Sequence, residues 1–407
     1  MTTGRRPAAA DATDTAAAAA HEAGDTGDTG HTGDTGDTGA TGATDQLDFA
    51  EAELLASHRY AEPLVVAGVR CHGGFDDDGT YVSPRTANRV PAIAAWQAKH
   101  RRDFGTELLD LPLDTWPEHY PNGPQARFLI ESGVPGPIIA TLTRIGTVEG
   151  FGGMIRHSAI PDMRRLVDED TAGTALDHLG TGLFEAHARD EAGFEDEGGH
   201  EHMWYAARDV AFENPMTEDQ RALMLERMGI VPPGGGRVDL AALRAAALAD
   251  RQWPDDVDFD LEMLITRMAR LLLIEISAFH AFAWAEALLA DPDLVAGDGE
   301  GARLVSYIRA DETPHVEYLR IALSELRDRT VLGEGGRRHA GAILVGRLWE
   351  RGVAQSVGPN RRQALENTWR EVRHAVEGRA DAADLLARFD ELGFAHRRDD
   401  GTWVDAA

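Results

Sequence analysis

The stretch "FEDEGGHEHMWYAARD", residues 194–209, contains an Asp-Glu-x-x-His motif that runs from Asp196 to His200. A second stretch, "RADETPHVEYL" at 309–319, repeats this motif from Asp311 to His315. A chain of this composition is expected to contain only about 0.1 copies by chance. The third Glu-x-x-His pair, Glu371 with His374, lacks the aspartate, and we predict that it lies on a solvated helix face. The two complete motifs indicate a shared chemical role.

The spacing of each motif suits a metal site on a helix. Residues three apart share one helix face, so Glu197 with His200, and Glu312 with His315, can each bind one ion. Two metals held between four helices need two such helices and a single acid from each of the other two. The sequence therefore predicts two further acidic ligands on other helices.

Glu275 and Glu149 are the candidates for these two acids, because each interrupts an apolar helical stripe. An unpaired charge buried in such a stripe would cost several kcal/mol, so four acids on one interior require cations. Oxygen and imidazole ligands without thiolates favour iron or manganese. The apolar neighbours at helical spacing are Met268, Leu271, Leu272, Ala278, Phe279 and Phe282 for Glu275, and Ile138, Leu142 and Ile145 for Glu149.

The chain divides into four regions of different composition. We predict a low-complexity, solvated tail (1–45), a mixed covering region (46–135), a helical bundle (136–335), and C-terminal helices with a short tail (336–407). In the covering region, "GVRCHGGFDDDGTYVS" has the turn signal of a hairpin. In the bundle, the strong helical segments are predicted at 136–157, 174–211, 258–290 and 300–328, with a linker near 231–236.

Composition excludes several functions. The net charge of -29 argues against a protein that binds nucleic acid or an anionic membrane face. The single cysteine, Cys71, excludes an internal disulfide and a cysteine-rich cluster, and fits a cytoplasmic location. The most apolar stretch, 271–290, contains Glu275, His280 and Glu286, which favours a buried helix of a soluble protein over a membrane span.

The order of the candidate ligands along the chain resembles that of the ferritin-like di-iron carboxylate superfamily. The resemblance implies an all-α fold, a ferritin-like four-helix bundle with an irregular N-terminal region and extra C-terminal helices. It implies two iron ions, with a Mn/Fe pair as the alternative. By the same resemblance, one of the two motif glutamates bridges the ions. The implied ligands are Glu149, Glu197 and His200 mainly for one metal, and Glu275, Glu312 and His315 for the other.

The resemblance also implies roles for the aspartates of the motifs. Asp311 would orient His200, and Asp196 would orient His315. Asp190 is a further candidate for a hydrogen bond to the ligands. Three roles remain for His187 and Glu191: an alternative ligand pair, a seventh ligand, or a surface or supporting position. Two roles remain for Tyr205: a site for a stable radical, or packing.

The residues inside the two motifs depart from the family pattern. Gly198-Gly199 and Thr313-Pro314 disfavour a regular helix, since glycine and proline both destabilise helix interiors. We expect distorted, π-bulged helices that widen the pocket beside the metals. The alternative is that these residues mark helix ends and that the motif pairs never face each other.

The function predicted from the resemblance is an oxygen-dependent oxidoreductase that hydroxylates, N-oxygenates or desaturates a small organic substrate. Such an oxygenase needs dioxygen and an electron donor, and a homodimer is left open. Two other classes are weighed beside it: an iron-handling ferroxidase and a metal-free helical scaffold.

Overall fold

In the computed structural model, the apolar segment around Glu275 forms α11 (Phe259–Leu289). The Asp258 side chain caps it by accepting a hydrogen bond from the Leu261 backbone N–H, and acids occupy its first turn. The structure describes residues 46–213, 216–227, 240–397 and 403–405, so the predicted tail (1–45) and linker (231–236) lie outside the described residues. All described residues belong to one compact unit, 43–407.

The described residues are mostly helical, with 64% in helices and 7% in strands, which confirms the predicted all-α class. The other α-helices are α1 (Glu51–Leu54), α2 (Arg89–Phe104), α3 (Gly123–Glu131), α4 (Gly136–Gly152), α5 (Met163–Leu166), α6 (Ala175–His178), α7 (Phe184–Ala192), α8 (His200–Ala211), α9 (Glu218–Arg227), α10 (Leu240–Ala249), α12 (Glu300–Arg327), α13 (Gly341–Gln355), α14 (Arg361–Ala375) and α15 (Ala382–Glu391). Short 3-10 turns lie at Leu113–Thr115, Gly153–His157 and Glu334–Gly336, and π-helical turns at Leu179–Leu183 and Ser356–Asn360.

Four helical segments surround the centre of the molecule. α4 packs against α7 and α8, α8 packs against α12, and α12 packs along α11. α4 and α11 make little direct contact with each other, so this side of the arrangement is open. The segments that contain the predicted ligands are therefore neighbours in space.

The second of these segments is not one helix, contrary to the prediction for 174–211. α7 ends at Ala192 and α8 begins at His200. Between them, Gly193 has φ +83° and Glu195 has φ +55°, both outside helical geometry. Phe194 and Glu197 exchange two backbone hydrogen bonds of 3.0 Å, which closes a tight turn. We refer to 193–199 as the inter-helix turn.

The region around Pro314 also differs from the prediction. α12 runs without a break from Glu300 to Arg327 with Pro314 inside it, so the expected π-bulge does not form there. Its buried face includes Glu312 and His315, both with no solvent exposure. The i, i+3 spacing therefore places these two side chains on one face, as the sequence predicts.

A small sheet covers the inter-helix turn. β1 (Glu62–Val66) pairs antiparallel with β2 (Val69–Phe75), which pairs antiparallel with β3 (Tyr81–Val82), and the predicted hairpin is the β2–β3 pair. Gly198 adds a parallel bridge to Cys71 in β2. Two further antiparallel pairs are β4 (Thr330–Leu332) with β5 (Arg338–Ala340) and β6 (Ala395–Arg397) with β7 (Trp403–Asp405).

By length and apolar composition alone, α11 could cross a membrane, but core helices of soluble proteins meet the same criterion. Apolar residues of α11 pack in two buried clusters. One includes Leu264 and Met268 with Leu319 of α12, and the other includes Phe282 with Trp204 of α8. Its Glu275 is buried between them and reaches the centre of the molecule.

Candidate metal centre

Acidic and histidine side chains converge in three buried groups where the four helical segments meet. Within each group, one potential ligand atom per residue lies within 4.8 Å of all the others. Such buried groups of carboxylates and imidazoles can hold a metal ion. The groups are His187, Glu191, Glu275 and His315; Glu149, Glu191, His200 and Glu312; and His72, His200 and Asp311.

The first group joins α7, α11 and α12. Nε2 of His187 lies 3.4 Å from an oxygen of Glu275 and 3.6 Å from Oε1 of Glu191. Nδ1 of His315 lies 3.2 Å from the same Glu191 oxygen. The two imidazole rings stack with their centroids 3.9 Å apart. His187 and Glu191 thus belong to the interior cluster. A surface position for this pair, one of the alternatives left by the sequence, is therefore excluded.

The second group joins α4, α7, α8 and α12 around Nδ1 of His200. This nitrogen lies 2.8 Å from Oε1 of Glu312, 3.4 Å from Oε2 of Glu191 and 3.7 Å from Oε2 of Glu149. The other oxygen of Glu312 lies 2.7 Å from Nδ1 of His315. Glu191 and Glu312 therefore each direct one oxygen toward the first group and the other oxygen toward the second. A carboxylate that bridges two ions needs this arrangement.

The structure corrects the prediction for Glu197. Its side chain is 29% exposed and pairs with Arg70 at 3.2 Å, and with Arg85 at 3.9 Å. Glu197 lies in the inter-helix turn and does not share a helix face with His200, so the i, i+3 argument does not apply. Glu191, at the end of α7, occupies the position that we predicted for Glu197.

The predicted role of Asp196 is wrong for the same reason. Its side chain is 78% exposed and 3.9 Å from Arg70, so it does not orient His315. Asp190 lies there instead, with Oδ2 2.9 Å from Nε2 of His315. Asp190 therefore lies where the sequence predicts it, at hydrogen-bond distance from a ligand side chain.

Asp190 is held by two buried arginines. Nε of Arg85 donates to Oδ1 of Asp190 at 2.7 Å, and Nη2 of Arg89 donates to Oδ2 at 2.7 Å. Burial raises the pKa of Asp190, but these guanidinium groups lower it more, and the pKa lies well below its usual range. The carboxylate is therefore ionised and can hold His315 in a fixed ring orientation.

Asp311 contacts His200, as predicted. Its Oδ2 lies 3.5 Å from Nε2 of His200 and 2.9 Å from Nε2 of His72, and it accepts a 2.8 Å hydrogen bond from the Tyr81 hydroxyl. Burial raises the pKa of Asp311, but the imidazoles of His200 and His72 lower it more, so that it lies below the usual range. His200 is thus oriented by an ionised carboxylate that the small sheet holds in place.

The two glycines of the first motif are explained by close backbone packing. A Cβ atom on Gly199 would lie 2.6 Å from the carbonyl oxygens of both Asp190 and Glu191. Gly198 pairs with β2, since its N–H donates to Arg70 O at 2.8 Å and its carbonyl accepts from His72 N at 3.0 Å. These contacts bring the start of α8 against the end of α7. His200 and Glu191 are therefore close in space although the helix is interrupted between them.

The electrostatics of the acids reflect four carboxylates in a small buried volume. Burial, and then the charges of Glu312 and Glu191, raise the pKa values of Glu149 and Glu275 well above the usual range. Burial also raises the pKa of Glu312, but His200 and His315 outweigh it and leave this pKa well below the usual value. Without metal, Glu149 and Glu275 therefore bind protons more tightly than Glu312 does.

The histidines show the complementary pattern. Burial lowers the pKa values of His200 and His315, but Glu312 and the other acids outweigh it and raise them well above the usual value. His187 differs: burial, and then the charge of His315, lower its pKa well below the usual value. Protons thus balance the charge of the metal-free cluster, and bound cations would take their place.

Several ligand atoms of the cluster are buried without a hydrogen-bond partner among the described residues. A buried polar atom without a partner is costly and needs an explanation such as an ion. A metal fits this site because the unpaired atoms are those directed into the two groups. They are His187 Nε2, both Glu191 oxygens, His200 Nδ1 and Glu312 Oε1; the last two lie 2.8 Å apart but outside hydrogen-bond geometry.

Sequence reasoning missed the part of the site that comes from the covering region. His72, Tyr81, Arg85 and Arg89 all contact the predicted aspartates, although 46–135 is predicted only as cover. The sole local signal is a histidine beside the cysteine in a short β-prone run. Tyr205 lies outside the three groups and hydrogen-bonds to Glu201 at 2.9 Å.

Comparisons with protein-family models, with curated proteins and with solved structures each give no significant match.

Proposed function

We propose that this chain binds two iron ions and uses dioxygen to oxidise a small organic substrate. The observation that carries the proposal is the set of unpaired buried atoms on Glu191, His187, His200 and Glu312. Oxygen and imidazole donors without a nearby thiolate suit iron, with a Mn/Fe pair as the alternative. The two groups that share Glu191 support two ions rather than one.

A ferritin-like bundle is part of the proposal. α4 supplies Glu149, α7 and α8 supply Glu191 and His200, α11 supplies Glu275, and α12 supplies Glu312 with His315. One acid from each of two helices and an acid–histidine pair from each of the others is the ligand pattern of di-iron bundles. His187 is an additional ligand of the group that contains Glu275.

When bound, such a metal pair supplies the electrons and open coordination positions that activate dioxygen. The protein residues fix the geometry. Asp190 and Asp311 hold the imidazoles of His315 and His200, and Arg85 with Arg89 keeps Asp190 ionised. The chemistry of such a pair would also require an external electron donor.

A cavity beside the cluster favours substrate oxidation over iron handling. It has a volume of about 570 Å³, and Glu149, Glu191 and Glu275 are among its lining residues. Pockets of this size are typical of small-molecule sites. A substrate in this cavity would lie directly beside the metal ligands.

The proposal can be tested by anaerobic loading of the full-length protein with Fe(II), followed by exposure to oxygen. We expect wild type to bind about two ions per chain and to show a change in its visible spectrum on oxygen addition. Glu275→Ala should lose at least one ion. Glu286→Ala is the matched control, because Glu286 lies on the same helix but pairs with Arg309. Wild-type protein that retains no iron would contradict the proposal.

A further inference from the structure

We propose that the substrate of this site is an organic acid with an apolar body, whose carboxylate is bound by Arg270 and Arg267. This inference rests on the proposed function, since it concerns the cavity that reaches Glu149, Glu191 and Glu275. The inference adds the chemical class of the substrate and its orientation in the cavity, with the carboxylate at the arginines.

The cavity occupies the open side of the bundle, between α4 and α11. Its walls are apolar and accessible: Phe151 is 43% exposed, Met154 59% and Ile274 49%. Exposed apolar groups concentrated in one concave place are typical of a binding site. Val148, Ile155, Met263 and Leu271 also belong to this apolar lining.

The charges of the cavity are separated between its two ends. Within the described part of the chain, the acids that line it are Glu149, Glu191 and Glu275, all of which belong to the metal-ligand groups. Arg267 and Arg270 also line it; Asp250, whose pKa the charge of Arg270 helps to lower, forms its ion pair with Arg351 instead. In a chain of net charge -29, an apolar cavity with two guanidinium groups is suited to an anionic ligand.

The two arginines differ in how they are held. Nη1 of Arg267 donates to the Ser158 hydroxyl at 2.6 Å, which fixes its side chain at the cavity. Arg270 is exposed and makes no hydrogen bond or ion pair within the described part of the chain. A planar guanidinium can bind a carboxylate with two parallel hydrogen bonds. Arg270 is therefore the group that is available to bind the acid.

The position of the arginines on α11 sets the distance between the acid group and the metals. Arg270 lies five residues before Glu275 and Arg267 lies eight before it, which is about 7.5 Å and 12 Å along the axis. A carboxylate bound there places a carbon several bonds away beside the cluster. The oxidised position is thus remote from the acid group, and the apolar walls contact the chain between them.

The inference is tested by calorimetric binding of octanoate, 1-octanol and octylamine to the full-length, iron-loaded protein without oxygen. Because a carboxylate can also bind a metal directly, the measurement is repeated after iron is removed with a chelator. In both forms we expect octanoate to bind at least tenfold more tightly than octanol, and octylamine to bind most weakly. Arg270→Met should remove the preference for octanoate and leave octanol binding unchanged.

Arg102→Met, at an exposed arginine of α2, is the matched control and should bind all three probes as wild type does. Equal binding of octanoate and octanol by wild type would overturn the inference, as would equal effects of the two variants. Iron content is measured in every sample. A normal iron content without a preference for octanoate would refute this inference but not the proposed function. Selective octanoate binding by a protein that takes up no iron would support the carboxylate site and refute the proposed function.

Discussion

Oε2 of Glu191 lies 3.4 Å from Nδ1 of His200, although the two are nine positions apart in the sequence. The inter-helix turn accounts for this proximity, because it folds back between α7 and α8 and is fixed to β2 through Gly198. Glu191 thereby reaches both metal-ligand groups, whereas Glu197, three residues before His200, reaches neither. The acid that lies beside His200 is therefore Glu191, and not Glu197 as the Glu-x-x-His motif suggests.

Gly199→Ala should destabilise the protein and reduce iron binding. The new methyl group would lie 2.6 Å from the carbonyl oxygens of Asp190 and Glu191, and backbone atoms cannot move away as a flexible side chain can. Overpacking of this kind costs about 1–3 kcal/mol. Urea denaturation and iron content measure the two effects.

The matched control for this prediction is Gly346→Ala. Gly346 lies within α13 with open space around its Cα, so alanine should be neutral or stabilising there by up to about 1 kcal/mol. If both alanine variants have the same stability, the close packing of the inter-helix turn does not constrain Gly199.

Asp190→Asn should destabilise the folded state strongly. It removes the charge that balances the buried guanidinium groups of Arg85 and Arg89. Breaking a buried ion pair by loss of one partner costs about 3–5 kcal/mol. The change in free energy of unfolding, measured by urea denaturation, checks the prediction.

Asp250→Asn provides the comparison, since the Asp250 and Arg351 side chains are 61% and 40% exposed and surface ion pairs contribute little. A similar small loss of stability in both variants would show that Asp190 does not neutralise the two buried arginines.

Glu325→Gln should change the pH dependence of stability. Burial raises the pKa of Glu325 from 4.5 to about 7. The folded state therefore binds this proton more tightly than the unfolded chain, so the favourable contribution is complete below pH 4.5 and is lost as the pH rises through about 7. The stability of the variant relative to wild type should increase over this range by an amount on the order of 3 kcal/mol.

Urea denaturation between pH 4.5 and 8 measures this effect, with Glu131→Gln as the control at a side chain that is 57% exposed. A difference between wild type and Glu325→Gln that does not vary with pH would mean that Glu325 is ionised throughout.

The sequence predicted the helical class and the two acids that interrupt apolar stripes, because periodicity alone places a residue on a helix face. Glu275 and Glu149 reach the centre for this reason, and so do Glu312 and His315 on the unbroken α12. The prediction failed at Glu197, because α7 has already ended at Ala192 and backbone pairing of Gly198 with β2 decides the fold there. That pairing joins residues more than 120 positions apart, and local pattern carries no signal for it.

The central claim, that the interior cluster centred on Glu191 binds metal, is tested most directly by the iron content of three proteins: wild type, Glu191→Ala and Glu197→Ala. Because Glu191 belongs to both groups and Glu197 to neither, we predict about two ions per chain in wild type and in Glu197→Ala, and loss of bound iron in Glu191→Ala. Full iron content in Glu191→Ala, together with loss in Glu197→Ala, would contradict the account.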